Sequence, residues 1–279
     1  MLYWPYNYHA HTPYGDGHSP AADYGTAAVV RKMQCIGISE HAPLGADVDW
    51  TMDAGKVPAY RAELEALREQ HRGELEVLLG LECDWWAERP EWYGRMSEYH
   101  WDFLIGSVHM ITRDSVTWAI DSSPEHFSDG VRQAFRGDIR AACDAFFSAE
   151  WDAAASGRFD ILGHFDLVKK FNKGGRYFDL DAPWYKEMAA SVVEAAAQSG
   201  TIVEINTAGL DKPVGEYYPA PWLVARCVER GVRLTLSADA HSSQEIRRHF
   251  DRVCQELPSL GVRELWRLTG GEWSAVPIA

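Results

Sequence analysis

The chain has 279 residues, 46% hydrophobic and 24% charged, a globular composition able to bury a sizeable core without disulfides or a structural metal. Its net charge of −14 repels nucleic acid from the average surface, and the basic doublets Lys169-Lys170 and Arg247-Arg248 are too small for a polynucleotide footprint. No apolar stretch approaches the roughly 20 residues needed to span a bilayer, and no basic region followed by an apolar run opens the chain. The five cysteines (Cys35, Cys83, Cys143, Cys227 and Cys254) form no C-x-x-C pair and read as buried thiols of a reducing compartment. The expectation is a soluble cytoplasmic protein with no membrane or nucleic-acid polymer as partner; the oligomeric state is not legible.

Seven short apolar runs bounded by Gly, Pro or polar residues read as buried strands: 6–10, 35–39, 75–82, 103–108, 161–164, 202–206 and 233–238. Helical stretches alternate with them. Residues 20–33 follow Ser19, a possible cap, with Pro20 at the first turn. Residues 57–71 carry Leu64 and Leu67 on one face, and 124–156 reads as two helices. Residues 183–199 follow Asp181, another possible cap, and end at Gly200. Residues 221–230 end at Gly231, and 243–256 and a C-terminal helix at 262–269 complete the series. Strands alternating with helices predict a parallel α/β sheet, here one domain over residues 1–279.

Polar residues recur where the strands end: His9 and His11, His41, Glu82, His109, His164, Glu204 and Asn206, Asp239 and His241. In an α/β barrel such positions converge on one mouth; in an open doubly wound sheet they would spread along a line. The pattern therefore favours a barrel.

The spacing of His9 and His11 puts both imidazoles on one face of an extended strand, which makes half a metal site. Such a pair alone is weak evidence. Asp239-Ala240-His241 repeats the arrangement after an apolar run, where an unpaired carboxylate is costly. Glu82 ends the run Val77-Leu78-Leu79-Gly80-Leu81 and could bridge two ions. His41, His109 and His164 each read singly as core histidines, but that reading would have to hold at several strand ends at once. In the turn Tyr14-Gly15-Asp16-Gly17-His18, Asp16 is either a ligand or a simple turn residue, and His18 competes with it. The candidate ligands are then His9, His11, Asp16, His41, Glu82, His109, His164, Asp239 and His241. Nine exceed the four of one zinc and suit two or three divalent transition-metal ions, Zn, Mn or Fe. His71, His100, His126 and His249 read as surface.

These residues resemble the PHP superfamily, named for polymerase and histidinol phosphatase. The resemblance lies in His9-Ala10-His11-Thr12-Pro13, Ser39-Glu40-His41-Ala42-Pro43, Gly80-Leu81-Glu82, Gly106-Ser107-Val108-His109, Gly163-His164-Phe165-Asp166-Leu167 and Ser237-Ala238-Asp239-Ala240-His241. The segments 203–210 and 215–219 look like its histidinol-phosphatase branch. The resemblance implies a distorted (β/α)7 TIM-like barrel, a trinuclear metal centre on the nine residues, and hydrolysis of L-histidinol phosphate in histidine biosynthesis. In one departure, members of this branch often carry Cys then a nearby His in the first loop. Asp16 matches the carboxylate of other superfamily members and is preferred to His18.

A small phosphate ester would need cations at an acidic protein. Lys169, Lys170, Arg176 and Lys212 are candidates for binding the phosphate, though each also reads as surface charge. Glu204 and Asn206 could hold the substrate's ammonium or imidazole, or could orient histidine ligands. Asp239, His241 or a bound water would protonate the leaving alkoxide. A PHP phosphoesterase of nucleotides or other small esters, and a non-catalytic metal-binding module, are the alternative functions.

Overall fold

Seven parallel strands form a single sheet in the order β1 (Tyr6–Asn7), β2 (Cys35–His41), β3 (Glu76–Asp84), β4 (Phe103–Ser107), β7 (Ile161–Leu162), β8 (Ile202–Asn206) and β9 (Leu234–Ser237). The computed structural model describes residues 3–44, 48–86, 96 and 98–278. Past β1 and β9 the sheet curls until Ala10 bridges Ala240. His11 N–H donates to Ala240 O at 2.8 Å and Ala240 N–H donates to His9 O at 3.1 Å. These bonds draw the edges together into a nearly closed seven-stranded barrel, so the carboxyl ends of the strands share one mouth.

The helices lie close to their expected positions: α1 (Ala21–Val30), α2 (Val57–Gln70), α3 (Pro124–Ala134), α4 (Ile139–Ala155), α5 (Pro183–Ser199), α6 (Pro221–Arg230) and α7 (Phe250–Glu256). Gly200 and Gly231 terminate α5 and α6 with φ of 78° and 70°, a left-handed cap that glycine adopts without steric cost. One cluster of buried apolar residues spans barrel and helices. Phe103 fills part of it, its ring occupying the space left by the missing side chains of Gly37 and Gly80. All five cysteines are buried free thiols. No helix among the described residues is long and apolar enough to cross a membrane.

Several local expectations fail for identifiable reasons. Residues 262–269 do not form a helix. Strand β10 (Glu264–Thr269) pairs antiparallel with β11 (Glu272–Pro277) through a Gly270-Gly271 turn whose φ values are 60° and 81°, a pair suited to a two-residue hairpin. The helix expected at 243–256 breaks at His249, which has φ 58°, leaving a short 3-10 turn at Ser243–Glu245 and then α7. Pro20 and Ala182 occupy the cap positions of α1 and α5, without a side-chain cap from Ser19 or Asp181. An unforeseen hairpin, β5 (Met110–Arg113) and β6 (Val116–Ala119), follows β4. His71 is buried rather than on the surface, its ring filling space that a side chain at Gly25 would take.

Candidate metal centre and substrate cavity

At the barrel mouth six imidazoles and two further carboxylates, those of Asp16 and Asp239, gather around Glu82. One of its oxygens, Oε2, faces His41 Nδ1 at 2.9 Å, His9 Nε2 at 3.2 Å and His11 Nε2 at 3.6 Å. The other, Oε1, faces His164 Nε2 at 3.0 Å and His109 Nε2 at 3.5 Å, and accepts from Ser107 Oγ at 2.6 Å. Asp239 Oδ1 lies 3.2 Å from His11 Nε2 and 3.7 Å from His9 Nε2. Asp16 Oδ2 lies 3.3 Å from His241 Nε2, and Asp16 Oδ1 lies 3.8 Å from His41 Nε2. The side chain of His18, the competing first-loop candidate, is exposed.

The strands set this geometry. His9 and His11 follow β1 at a spacing of two, and His41 ends β2 in register with Glu82 of β3. His109 and His164 each lie two residues beyond β4 and β7. Asp239 and His241 follow β9, where Asp239 adopts φ 48°. Behind the histidines stands another set of buried carboxylates. Glu204 Oε1 bonds His9 Nδ1 at 2.8 Å, Glu40 Oε1 bonds His11 Nδ1 at 3.4 Å, and Asp84 Oδ2 bonds His109 Nδ1 at 3.1 Å. Such contacts fix ring orientation and leave the opposite nitrogen as the ligating atom. Glu40 and Asp84 escaped the sequence reading, although each lies within two residues of a candidate ligand.

Burial alone would raise the pKa of Glu82, yet His9, His41 and His109 hold it well below the usual carboxylate range. Burial opposes protonation of His9, but Glu204, Glu82 and Asp239 hold its pKa well above the ordinary value. Despite this charge complementarity, His9 Nε2, His11 Nε2, His41 Nδ1, His164 Nδ1, Glu82 Oε2 and Asp16 Oδ1 are buried without a hydrogen-bond partner. Buried polar atoms are rarely left unpaired. Converging lone pairs from imidazole and carboxylate are what a divalent ion satisfies. Four overlapping groups have ligand atoms mutually within 4.8 Å: His11, Asp16, His41 and His241; His9, Glu82 and His164; His9, His11 and Asp239; His41, Glu82 and His109. The residues present fit a metal centre.

The centre opens into a cavity of about 770 Å³. Trp50 walls it beside the ligands, its ring 4.7 Å from that of His41 and 5.4 Å from that of His109. The β5–β6 hairpin and α3 supply the far wall, with Asp121, His126, Asp129 and Gln133. His126 is exposed, as expected, and lies on the cavity wall; the hairpin against which its helix packs was not foreseen.

The predicted cations separate. Lys170 and Lys212 line the cavity, and Lys170 Nζ is held by Asp121 O at 2.7 Å and Oδ2 at 3.0 Å. Lys169 is a correction. Its ammonium is 0% exposed and bonds Asp166 at 2.9 Å, Glu216 at 2.6 Å and Tyr217 O at 3.0 Å, so it has no donor to aim at a substrate. Arg176 lies against the Tyr177 ring and does not line the cavity. Glu204 and Asn206 are fully buried. Glu204 serves His9 and the backbone N–H of His164, and Asn206 Nδ2 bonds Glu204 and Asp239. Both orient the site from behind and do not reach the cavity.

A parallel barrel with buried imidazole and carboxylate donors at its C-terminal mouth, open to a cavity, defines a metal-binding barrel of the TIM-like kind. The chain belongs to the PHP family: residues 7–208 match the PHP domain model. A Deinococcus radiodurans protein named "Probable histidinol-phosphatase" is 34% identical over 259 residues, covering 91% of this chain and 93% of that protein. The histidinol-phosphatase of Bacillus subtilis is 24% identical over 85% of this chain and 94% of its own length. Among solved structures, histidinol phosphate phosphatase from Lactococcus lactis, complexed with zinc, L-histidinol and phosphate, matches with a TM-score of 0.76 at 20% identity, over 97% of this chain and 98% of that one.

Proposed function

We propose that this chain hydrolyses L-histidinol phosphate to L-histidinol and phosphate, a step of histidine biosynthesis carried out in the cytoplasm, using three divalent ions of Zn, Mn or Fe. The observation that carries the metal-dependent chemistry is the set of buried, unpartnered ligand atoms around Glu82 at the head of the cavity. The choice of substrate rests on kinship with histidinol-phosphatases over most of the chain.

Charge balance favours three ions over two. Asp16, Glu40, Glu82, Asp84, Glu204 and Asp239 place six carboxylates in or directly behind the centre. Two divalent ions would leave two negative charges uncompensated in a centre where four of the six carboxylates are buried, which is costly; three would neutralise all six. Each imidazole can give one nitrogen to one ion. The nine donors then divide into His9, His11 and Asp239; His109, His164 and Glu82; and Asp16, His41 and His241. Glu82 has a second oxygen to share with the first set.

Bound ions would lower the pKa of a coordinated water and neutralise the phosphoryl oxygens. Lys170, steadied by Asp121, and Lys212 present ammonium groups to the phosphate from the cavity wall. Trp50 shields the ligands from solvent on one side. Asp129 and His126, on the far wall, would face the organic end of the ester, where the carboxylate suits a cationic amine. Asp239 and His241 both border the cavity; either of them, or a water bound beside them, would give the leaving alkoxide its proton.

The test is phosphate release from L-histidinol phosphate beside a panel of nucleotides, with and without prior removal of metal by a chelator. Selective, metal-restored release from histidinol phosphate is expected. Equal or faster release from nucleotides would replace the substrate; full activity of verified metal-free protein would end the metal-dependent reading.

A further inference from the structure

The segment that carries Asp239 and His241 is bound from behind, peptide group by peptide group. The Arg248 guanidinium donates from Nε to Ala238 O at 2.9 Å and from Nη2 to Asp239 O. Its Nη1 lies 3.2 Å from Glu245 Oε1 and, more distantly, 3.6 Å from Asp211 Oδ2. The other oxygen of Glu245 accepts the backbone N–H groups of His241, at 2.9 Å, and Ser242, at 3.0 Å. Between them, Ala240 is held by the bonds that close the barrel. The Arg248–Glu245 pair therefore fixes two carbonyls and two amides across five residues. Arg248 is 11% exposed, and its own carbonyl accepts from Thr207 Oγ1 at 2.8 Å.

This bracing falls on a strained point. Asp239 is a non-glycine residue at φ 48°, a left-handed conformation that aspartate enters more readily than most side chains but that still carries a cost which its surroundings must offset. In an extended backbone the Asp239 carboxylate would leave His9 and His11. The planar guanidinium suits the task because its fork meets two carbonyls and a carboxylate together, which a lysine ammonium on a flexible stem cannot reproduce. We propose that Arg248, with Glu245 as its counter-ion, is a positioning residue that sets the affinity of the metal centre by holding Asp239 and His241 in ligating geometry. This rests on the metal-centre reading above.

The test reads metal affinity rather than turnover. Metal-depleted wild type, Arg248→Gln, Arg248→Lys and Glu245→Gln are titrated with Zn²⁺ against a chromophoric chelator, and each metal-free protein is melted alongside. The expected result is a loss of about 10–100-fold in zinc affinity for Arg248→Gln and a smaller loss for Arg248→Lys, with metal-free melting close to wild type. A purely structural role would lower the metal-free melting point and leave zinc affinity of the folded protein unchanged. Zinc affinity within about twofold of wild type in folded Arg248→Gln and Arg248→Lys overturns the brace. Should Arg248→Gln not fold, Arg248→Lys and Glu245→Gln decide in the same way. A wild-type protein that takes up no divalent metal would sink the centre itself, and the brace with it; wild-type uptake matched by the variants sinks the brace alone.

Discussion

Replacing Lys169 with Met separates a structural lysine from a phosphate-binding one. The ammonium is 0% exposed and lies between Asp166, also 0% exposed, and Glu216. Met keeps the length and apolar stem but removes the charge, leaving Asp166 buried opposite nothing. Removing one partner of a buried pair costs about 3–5 kcal/mol. The lower end applies because Asp166 keeps the Ala220 N–H bond at 2.9 Å and can take up a proton. Unfolding entropy of about 2.1 cal/mol/K per residue gives a 279-residue chain about 0.6 kcal/mol/K, so a loss of ~3 kcal/mol lowers Tm by about 5 °C. Calorimetry of metal-loaded wild type and variant measures the shift. Steady-state kinetics should show KM nearly unchanged, because the lysine does not border the cavity. An unaltered Tm with a roughly tenfold rise in KM would refute the argument and return Lys169 to the phosphate.

Two further variants probe the scaffold. Glu150, on α4, is fully buried and neither oxygen has a hydrogen-bond partner; burial pushes its pKa well above 4.5. A carboxyl whose folded pKa is raised contributes stability that is fully present below the unfolded value and lost as pH rises through the folded one, at up to about 1.4 kcal/mol per pH unit. Glu150→Gln should therefore gain on wild type progressively above about pH 4.5 in thermal melts; a difference that stays constant with pH would contradict this. In Gly106→Ala, the new Cβ would lie 2.2 Å from Phe159 Cδ2. Overpacking of this kind costs about 1–3 kcal/mol, and Phe159→Leu in the same chain should recover most of it in chemical denaturation; no recovery would locate the strain elsewhere.

Long-range order was legible where chemistry and periodicity coincide. The alternation of apolar runs with capped helices marked all seven barrel strands, and the polar residues at their ends marked the mouth to which they converge. What escaped depended on shape. The β5–β6 hairpin is short and partly exposed, so its alternation is weak, and with it went the far wall of the cavity. The Gly270-Gly271 pair is a hairpin signal, and the helix expected at 262–269 left no place for it. Lys169 and Lys170 are neighbours in sequence and differ only in direction. One points into the protein toward Asp166 and Glu216, the other toward Asp121 at the cavity, and no property of a lysine doublet distinguishes them before the loop is folded. Glu40 and Asp84 look like ordinary carboxylates until the histidines they orient are seen in front of them.

The net charge of −14 and a phosphate substrate set up the last prediction. If three ions balance the six carboxylates, the loaded centre is close to neutral, and Lys170 is itself paired with Asp121. Attraction is then short-ranged, through coordination and Lys212, while the long-range field remains that of an acidic protein. Raising ionic strength from about 0.01 M, where the screening length is ~30 Å, to about 0.1 M, where it is ~10 Å, should therefore increase kcat/KM. The effect should scale with substrate charge. Phenyl phosphate carries close to −2 at neutral pH, whereas an amino-alcohol phosphate carries about one unit less because of its ammonium. The salt slope should be roughly twice as steep for phenyl phosphate. This would let the acidic surface contribute to selectivity before any contact forms, by disfavouring esters without a compensating amine. A kcat/KM that falls with salt for both substrates would mean that the mouth is net cationic, and would count against the charge balance on which the proposal of three ions over two rests.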